Sequence, residues 1–182
     1  MPTIKALVLD RDGTLIEHVP YVHDPAQIRL LPQVREGLAM AREVGVSLFL
    51  HTNQSGVGRG LFTLTQAESC TARMIELLEL GPAPFVRVCT APEAPDAPAI
   101  YRKPSPRFAH EIMAEFGYGP EEICYMGDRG SDLATCHAAG TRGVGIATGL
   151  DDLAAELNAA GLGQYPVFKS FRAAIDHVLS LT

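Results

Sequence analysis

"IKALVLDRDGT", residues 4–14, is an apolar run that stops on two aspartates two positions apart. The run is almost continuously apolar rather than alternating, the pattern of a strand covered on both faces in a parallel sheet. Similar runs follow at "VSLFL" (46–50), "FVRVC" (85–89), "ICYM" (123–126) and "GVGI" (143–146), with a weaker one at "PVF" (166–168). Between and after them lie segments of helical period: "QVREGLAMAREV", "TQAESCTARMIELLEL", "PRFAHEIMAEFG", "SDLATCHAA", "DLAAELNAA" and "FRAAIDHVLS". This alternation predicts a Rossmann-like, three-layer α/β/α fold with a parallel sheet.

Local chemistry punctuates the helices. Thr65 with Glu68 has capping-box spacing, and Gly81-Pro82 would end that helix. Ser105 before Pro106 reads as an N-cap and first-turn proline, Ser131 or Asp132 as the next cap, and Ser170 as the last.

A chain of 182 residues, 47% of them hydrophobic, can bury one good core, so one domain is expected over residues 1–182. A net charge of −6 with scattered basic residues disfavours a polyanion partner, so no nucleic-acid partner is expected. The four cysteines (70, 89, 124, 136) form no C-x-x-C pair, and "MPTIKALVLD" lacks the pattern of a secretory leader. No apolar stretch is long enough for a bilayer, so a cytoplasmic protein without a membrane partner is expected.

In such folds ligands bind beyond the carboxyl ends of the strands. There the sequence places "DRDGT", "HTNQSGVGRG", the proline-rich "CTAPEAPDAPAIYRKP" (89–104) and "GDRGSD". A calcium loop at "DRDGT" is excluded, because its glycine comes too early and Tyr21 stands where the closing glutamate belongs. If the strand persists, Asp10 and Asp12 project to one side, where two carboxylates can divide nucleophile and proton-donor roles or share a hard cation. Thr52 and free backbone N–H groups after strand two suit phosphate oxygens. Lys103 near a helix start would reinforce an anion site, and Asp128 offers magnesium a further oxygen.

Taken together, "VLDRDGT", "LHTNQS", "RKP" and "YMGDRGSD" resemble the four motifs of the haloacid dehalogenase-like superfamily of phosphohydrolases, over about the first 150 residues. More narrowly, "DRDGTL", "YVHD", "TNQSGVGRG" and "RKPSP" resemble its heptose-bisphosphate phosphatase and histidinol-phosphatase group. The resemblance implies Asp10 as a nucleophile forming an aspartyl-phosphate and Asp12 as the acid that protonates the leaving alcohol and later activates water. It implies Mg2+ on the Asp10 carboxylate, the Asp12 carbonyl and Asp128, with Thr52 and Lys103 stabilising the transferring phosphoryl group. It carries substrate contacts onto His18, Val19, Pro20, Tyr21, Asn53, Gln54, Ser55 and Arg102, and onto Arg129, where that group commonly has lysine. Tyr21 and His23 read equally well as residues that pin their loop.

Zinc-bearing members of that group have cysteine-x-histidine and cysteine-x-cysteine before the arginine-lysine pair. Here those positions are Cys89, Ala91, Ala99 and Tyr101. A lone thiol cannot make a tetrahedral site, so no zinc is expected, and the prolines are expected to stiffen the loop instead. The spacings from Asp10 to Thr52 and from Thr52 to Lys103 leave no room for an inserted cap domain, so loops 18–29 and 89–103 should wall an open site.

The leading expectation is a Mg2+-dependent phosphatase of a small phosphorylated metabolite, foremost a heptose bisphosphate, acting as a monomer or weak homo-oligomer. Histidinol phosphate is the alternative substrate. A polynucleotide 3′-phosphatase and a non-enzymatic phosphate-binding protein stand lower, the first against the acidic charge and the second against the intact aspartate pair.

Overall fold

The computed structural model describes residues 3–148 and 152–182, so the first two residues of the segment read for a leader lie outside it. Six parallel strands form one sheet in the order β3-β2-β1-β4-β5-β6. They are β1 (Ala6–Leu9), β2 (Ser47–Asn53), β3 (Arg87–Ala91), β4 (Ile123–Gly127), β5 (Arg142–Ile146) and β6 (Val167–Phe168). The helices are α1 (Val34–Glu43), α2 (Ser55–Gly58), α3 (Leu64–Leu78), α4 (Arg107–Phe116), α5 (Gly130–Ala139), α6 (Leu153–Ala159) and α7 (Phe171–Leu179).

The continuous apolar character of β1 has its cause in the two layers. Leu7 and Leu9 pack into a core with Val34 and Leu38 of α1, Met74 of α3 and Phe171 and Ile175 of α7. Ala6 and Val8 face the opposite core, with Phe49, Tyr125 and the α4 residues Phe108 and Ile112. Burying a side chain of this kind contributes about 1.5–3 kcal/mol, so both faces of the strand are committed. The expected three-layer α/β/α fold is therefore present, and among the described residues no inserted cap domain interrupts it: only α1 and a short 3-10 turn separate β1 from β2, and α2 and α3 separate β2 from β3.

The sheet order reverses at β1, which pairs with β2 on one side (Leu9 with Leu50) and β4 on the other (Leu9 with Met126). The carboxyl ends of β1 and β4 thus flank a topological switch point, where a crevice opens.

Several boundaries differ from those expected. β2 runs on to Asn53, and β3 starts at Arg87 and ends at Ala91, because Thr52 and Asn53 pair with Thr90 and Ala91 through backbone alone. Apolar runs under-read both strands where the side chains turn polar for the site. The α3 capping box is Thr63 with Gln66, not Thr65 with Glu68. Phe62, just ahead of that cap, is buried where Gly56 leaves space. That helix ends at Glu79 in the left-handed region rather than at Gly81. Ser105 is not the α4 cap: Pro106 holds that position without a side-chain cap, and the Ser105 hydroxyl donates to Ile100 O at 2.8 Å. At α5 the cap is Arg129, and Asp132 in the first turn accepts its N–H at 3.0 Å. Ser170 caps α7 as expected.

Candidate active site

Asp10 leaves the end of β1 almost buried, 8% exposed. Arg11 behind it is fully buried and turns away from the cleft. Its guanidinium donates to Ala67 O and Thr71 Oγ1 on α3, both at 3.1 Å, and grips Asp12 through Nε to Oδ2 at 3.0 Å and Nη2 to Oδ1 at 3.2 Å. Asp12 is thereby anchored to a helix. Gly13, at φ +79°, lets the chain turn under Asp128: a Cβ there would sit 2.2 Å from Asp128 Oδ2.

β2 delivers Thr52, Asn53 and Gln54. The Gln54 amide donates to Asp12 Oδ2 at 2.9 Å and to Thr52 Oγ1 at 2.8 Å, so the fully buried Thr52 hydroxyl lies beneath it. Asn53 is a backbone clamp: its Oδ1 accepts the Lys103 N–H at 2.9 Å, and its Nδ2 donates to Lys103 O at 3.3 Å.

Lys103, 3% exposed, reaches from beyond β3 to the centre of the site. Its Nζ donates to Asp10 Oδ1 at 2.7 Å and to Asp132 Oδ1 at 2.5 Å. Burial works against its charge, yet Asp10 and Asp132 hold its pKa above the ordinary lysine value. It does not act as a charge at the α4 terminus.

Asp128 and Asp132 come from the β4–α5 turn. Carboxylate oxygens of Asp10, Asp128 and Asp132 all lie within 4.8 Å of one another. Burial, helped by Asp132 and Asp12 and opposed by Lys103, pushes Asp10 up to about 6. Burial, with Asp10 and Asp132, pushes Asp128 up to about 8. Such crowding is relieved by a cation, and an all-oxygen donor set suits hard Mg2+ rather than a thiophilic metal. Asp132 has both oxygens committed, to Lys103 and to the Arg129 N–H, which makes it chiefly the lysine's anchor. Its part was not legible in "GDRGSD" beyond a helix cap; the signal was a second carboxylate in the first turn of the helix that follows Asp128.

A cleft of about 420 Å³ opens above this floor. Asp10, Asp12 and Lys103 line it together with His18, Val19, Pro20 and Tyr21 on one wall, Asn53, Gln54 and Ser55 on another, and Arg102 and Arg129 on the third. All the expected substrate-contact positions therefore converge, and Phe62, Ser131 and Asp132 join them. Thr52 and Asp128 are not part of the lining. The proline-rich segment contributes only its Arg102-Lys103 end, so the expectation that the whole of 89–103 forms a wall is not met. The 18–24 loop is pinned by aromatic contacts: His23 stacks on Phe62 with ring centres 5.7 Å apart, and the Arg59 guanidinium lies 5.9 Å from the centre of the Tyr21 ring. His23 is thus a loop fastener, whereas Tyr21 both lines the cleft and holds the loop.

Comparison with known proteins agrees with this geometry. The HAD-hydrolase-like family matches residues 100–174. A D-glycero-D-manno-heptose-1,7-bisphosphate 7-phosphatase from Chlorobaculum tepidum is 31% identical, over 82% of this chain and 81% of its own. A D-glycero-beta-D-manno-heptose-1,7-bisphosphate 7-phosphatase from Helicobacter pylori is 35% identical, over 73% of this chain and 78% of its own. The crystal structure of D,D-heptose 1,7-bisphosphate phosphatase from B. bronchiseptica, complexed with magnesium and phosphate, shares the fold. It superposes with a TM-score of 0.86 at 24% identity, over 98% of this chain and 100% of that one.

The aspartate cluster at the switch point of the parallel sheet, taken with these relatives, makes the chain a hydrolytic enzyme, and it belongs to the haloacid dehalogenase-like phosphatases. Within them it is closely related to the D-glycero-D-manno-heptose-1,7-bisphosphate 7-phosphatase group. No helix among the described residues is long and apolar enough to cross a membrane.

Proposed function

We propose that this phosphatase removes one phosphate from a sugar bisphosphate, D-glycero-D-manno-heptose 1,7-bisphosphate, working as a single domain and as a monomer or weak homo-oligomer in the cytoplasm. One observation carries the reading: Lys103 Nζ sits on Asp10 at the floor of a cleft that also presents Arg102 and Arg129. A bisphosphate needs cationic groups both at the reacting phosphate and away from it. The cleft volume, about 420 Å³, is of the size that holds small metabolites. His18 supports the reading too, since its Nδ1 is buried with no partner among the described residues. Two of the relatives are phosphatases of this sugar bisphosphate. The net charge of −6 disfavours a nucleic-acid substrate.

In this mechanism the Asp10 oxygen not held by Lys103 attacks phosphorus as the ester P–O bond breaks. Asp12 gives its proton to the departing alkoxide. Water then attacks the aspartyl-phosphate, Asp12 takes the proton, and inorganic phosphate leaves with Asp10 restored. Arg11 and Gln54 fix Asp12 for both steps. Lys103 offsets charge on the phosphoryl oxygens, and Asn53 fixes the lysine's backbone. Thr52, whose hydroxyl accepts from the Gln54 amide, would act on the phosphoryl group through that amide. Asp10, Asp128 and the Asp12 carbonyl would hold Mg2+, which when bound supplies charge neutralisation to the phosphoryl oxygens.

The test is a screen of purified protein with Mg2+ against the heptose bisphosphate, fructose 1,6-bisphosphate, histidinol phosphate and a 3′-phosphorylated oligonucleotide. The highest kcat/KM is expected on the heptose bisphosphate, and Asp10→Asn should abolish it. A preference for histidinol phosphate or the oligonucleotide would replace the substrate, and full activity in Asp10→Asn would refute the mechanism.

A further inference from the structure

Glu93 belongs to no motif and does not line the cleft, yet its carboxylate is the centre of the proline-rich loop. One oxygen, Oε1, accepts three successive backbone N–H groups, from Ile100 at 3.0 Å, Tyr101 at 2.6 Å and Arg102 at 3.3 Å. Consecutive N–H groups converging on one anion make a concave grip of the kind that backbone nests give to bound anions, with the anion here supplied by the chain itself. The other oxygen, Oε2, is buried with no donor among the described residues. Glu93 meets no cation in the hydrogen bonds and ion pairs seen among those residues, so its engagement is with the loop backbone. Burial pushes its pKa up, but the N–H groups of Tyr101, Arg102 and Ile100 outweigh this and hold it below the usual glutamate value.

The gripped residues are fastened on other sides as well. Tyr101 O accepts from His51 Nε2 at 2.8 Å, its hydroxyl donates to Glu111 at 2.8 Å, and the Arg107 guanidinium lies 4.7 Å from its ring centre. Ile100 O accepts from Ser105. The residue that follows is Arg102, on the cleft wall, and then Lys103, clamped independently by Asn53. The two basic residues therefore depend on different holders.

We infer that Glu93 is a positioning residue: its carboxylate closes the 93–102 loop on itself and sets the register in which Arg102 faces the cleft. The inference rests on the reading of Arg102 as a contact for a bisphosphate substrate. Pro95 and Pro98, inside the closed loop, reduce the freedom that closure must overcome.

The experiment compares wild type, Glu93→Ala, Glu93→Gln, Arg102→Ala and the Glu93→Ala/Arg102→Ala double variant, with Mg2+, on D-glycero-D-manno-heptose 1,7-bisphosphate and on p-nitrophenyl phosphate. Glu93→Ala should raise KM for the bisphosphate about tenfold while kcat stays within about threefold, because Lys103 keeps its own clamp. KM for p-nitrophenyl phosphate, which has no second phosphate, should not move. Glu93→Gln keeps the acceptor oxygen without its charge and should give an intermediate KM; it carries the test if the alanine variant does not fold. The double variant should be no worse than Arg102→Ala, the non-additivity of residues acting through one another. Amide exchange should quicken at residues 100–102 and not in β2. Quicker exchange with an unchanged KM in an active enzyme, or effects of Glu93 and Arg102 that simply add, would overturn the inference alone. A wild type inactive on both esters would overturn the phosphatase reading and the positioning role with it.

Discussion

Replacing Lys103 by methionine removes one positive charge and little volume from the floor of the site, where Nζ lies 2.7 Å from Asp10 and 2.5 Å from Asp132. At an effective dielectric constant of about 20 each contact is worth roughly 6 kcal/mol of Coulomb attraction, before the cost of desolvating the charges is set against it. The measured balance for breaking a buried pair on one side is about 3–5 kcal/mol. For a chain of this size that corresponds to a fall in Tm of about 6–20 °C. The loss should depend on pH. Asp10 at about 6 and Asp128 at about 8 already lie above the unfolded carboxyl value of 3.8, so the native state binds more protons than the unfolded chain across that interval. Metal-free stability therefore falls as pH rises through those values. Without Lys103 nothing opposes the rise at Asp10, and the fall should steepen. Urea denaturation of metal-free wild type and Lys103→Met at pH 5 and pH 8 reads this directly: a large ΔΔG is expected at pH 8 and a smaller one at pH 5. The variant should also lose about 10²–10³ in kcat, as sites do on losing an oxyanion donor. A ΔΔG below about 1 kcal/mol at pH 8, under the range for a buried pair, would refute the electrostatic account. So would equal values at the two pH values.

Chelation should act through the same carboxylates. Removing Mg2+ with a chelator is expected to lower Tm more at pH 8 than at pH 5, since at pH 5 protons already relieve Asp10 and Asp128; scanning calorimetry at both pH values checks it. Gly58→Ala should disturb the proline-rich loop, because a Cβ at Gly58 would lie 2.5 Å from Ala94 N and 2.6 Å from Pro92 O, both backbone atoms. Strain of this kind costs about 1–3 kcal/mol, to be read by urea denaturation, with KM for a bisphosphate rising as the loop shifts.

The layers and the parallel sheet were legible because β1, β2 and β4 are buried on both faces, which forces apolar residues at consecutive positions; the order of the strands came only with the structure. The edge was less so. Val86 and Val88, the apolar residues that suggested the third strand, are about half exposed, while Thr90 and Ala91 pair through backbone that no composition reveals. Thr63 and Thr65 offer the same capping chemistry, with Gln66 and Glu68 at the same spacing, and nothing in the sequence chooses between them. At the site, Asp10, Asp12, Lys103 and Arg102 announced themselves by charge at strand ends. Arg11 did not, because a fully buried arginine looks in sequence like any solvated one. Nor did Glu93, whose partners are backbone amides brought near only by folding; Gln54 was expected as a substrate contact, but its hold on Asp12 and Thr52 was not legible. The linker-like prolines hid a closed loop for the same reason.

The position of β1 at the middle of the sheet has a consequence for how the molecule is made. Its first neighbour, β2, follows within one helix, but the partner of Leu9 on the other side is Met126. At usual elongation rates of about 5–20 residues per second, roughly 6–24 s of synthesis separate the two. During that time one margin of β1 stays unpaired, and Asp10 has neither Asp128 nor Asp132 beside it. The residues that assemble the charge cluster are thus drawn from both ends of a long wait, and catalysis can begin only after the late half of the sheet has docked. Activity recovered on refolding should therefore appear no earlier than the pairing of β1 with β4.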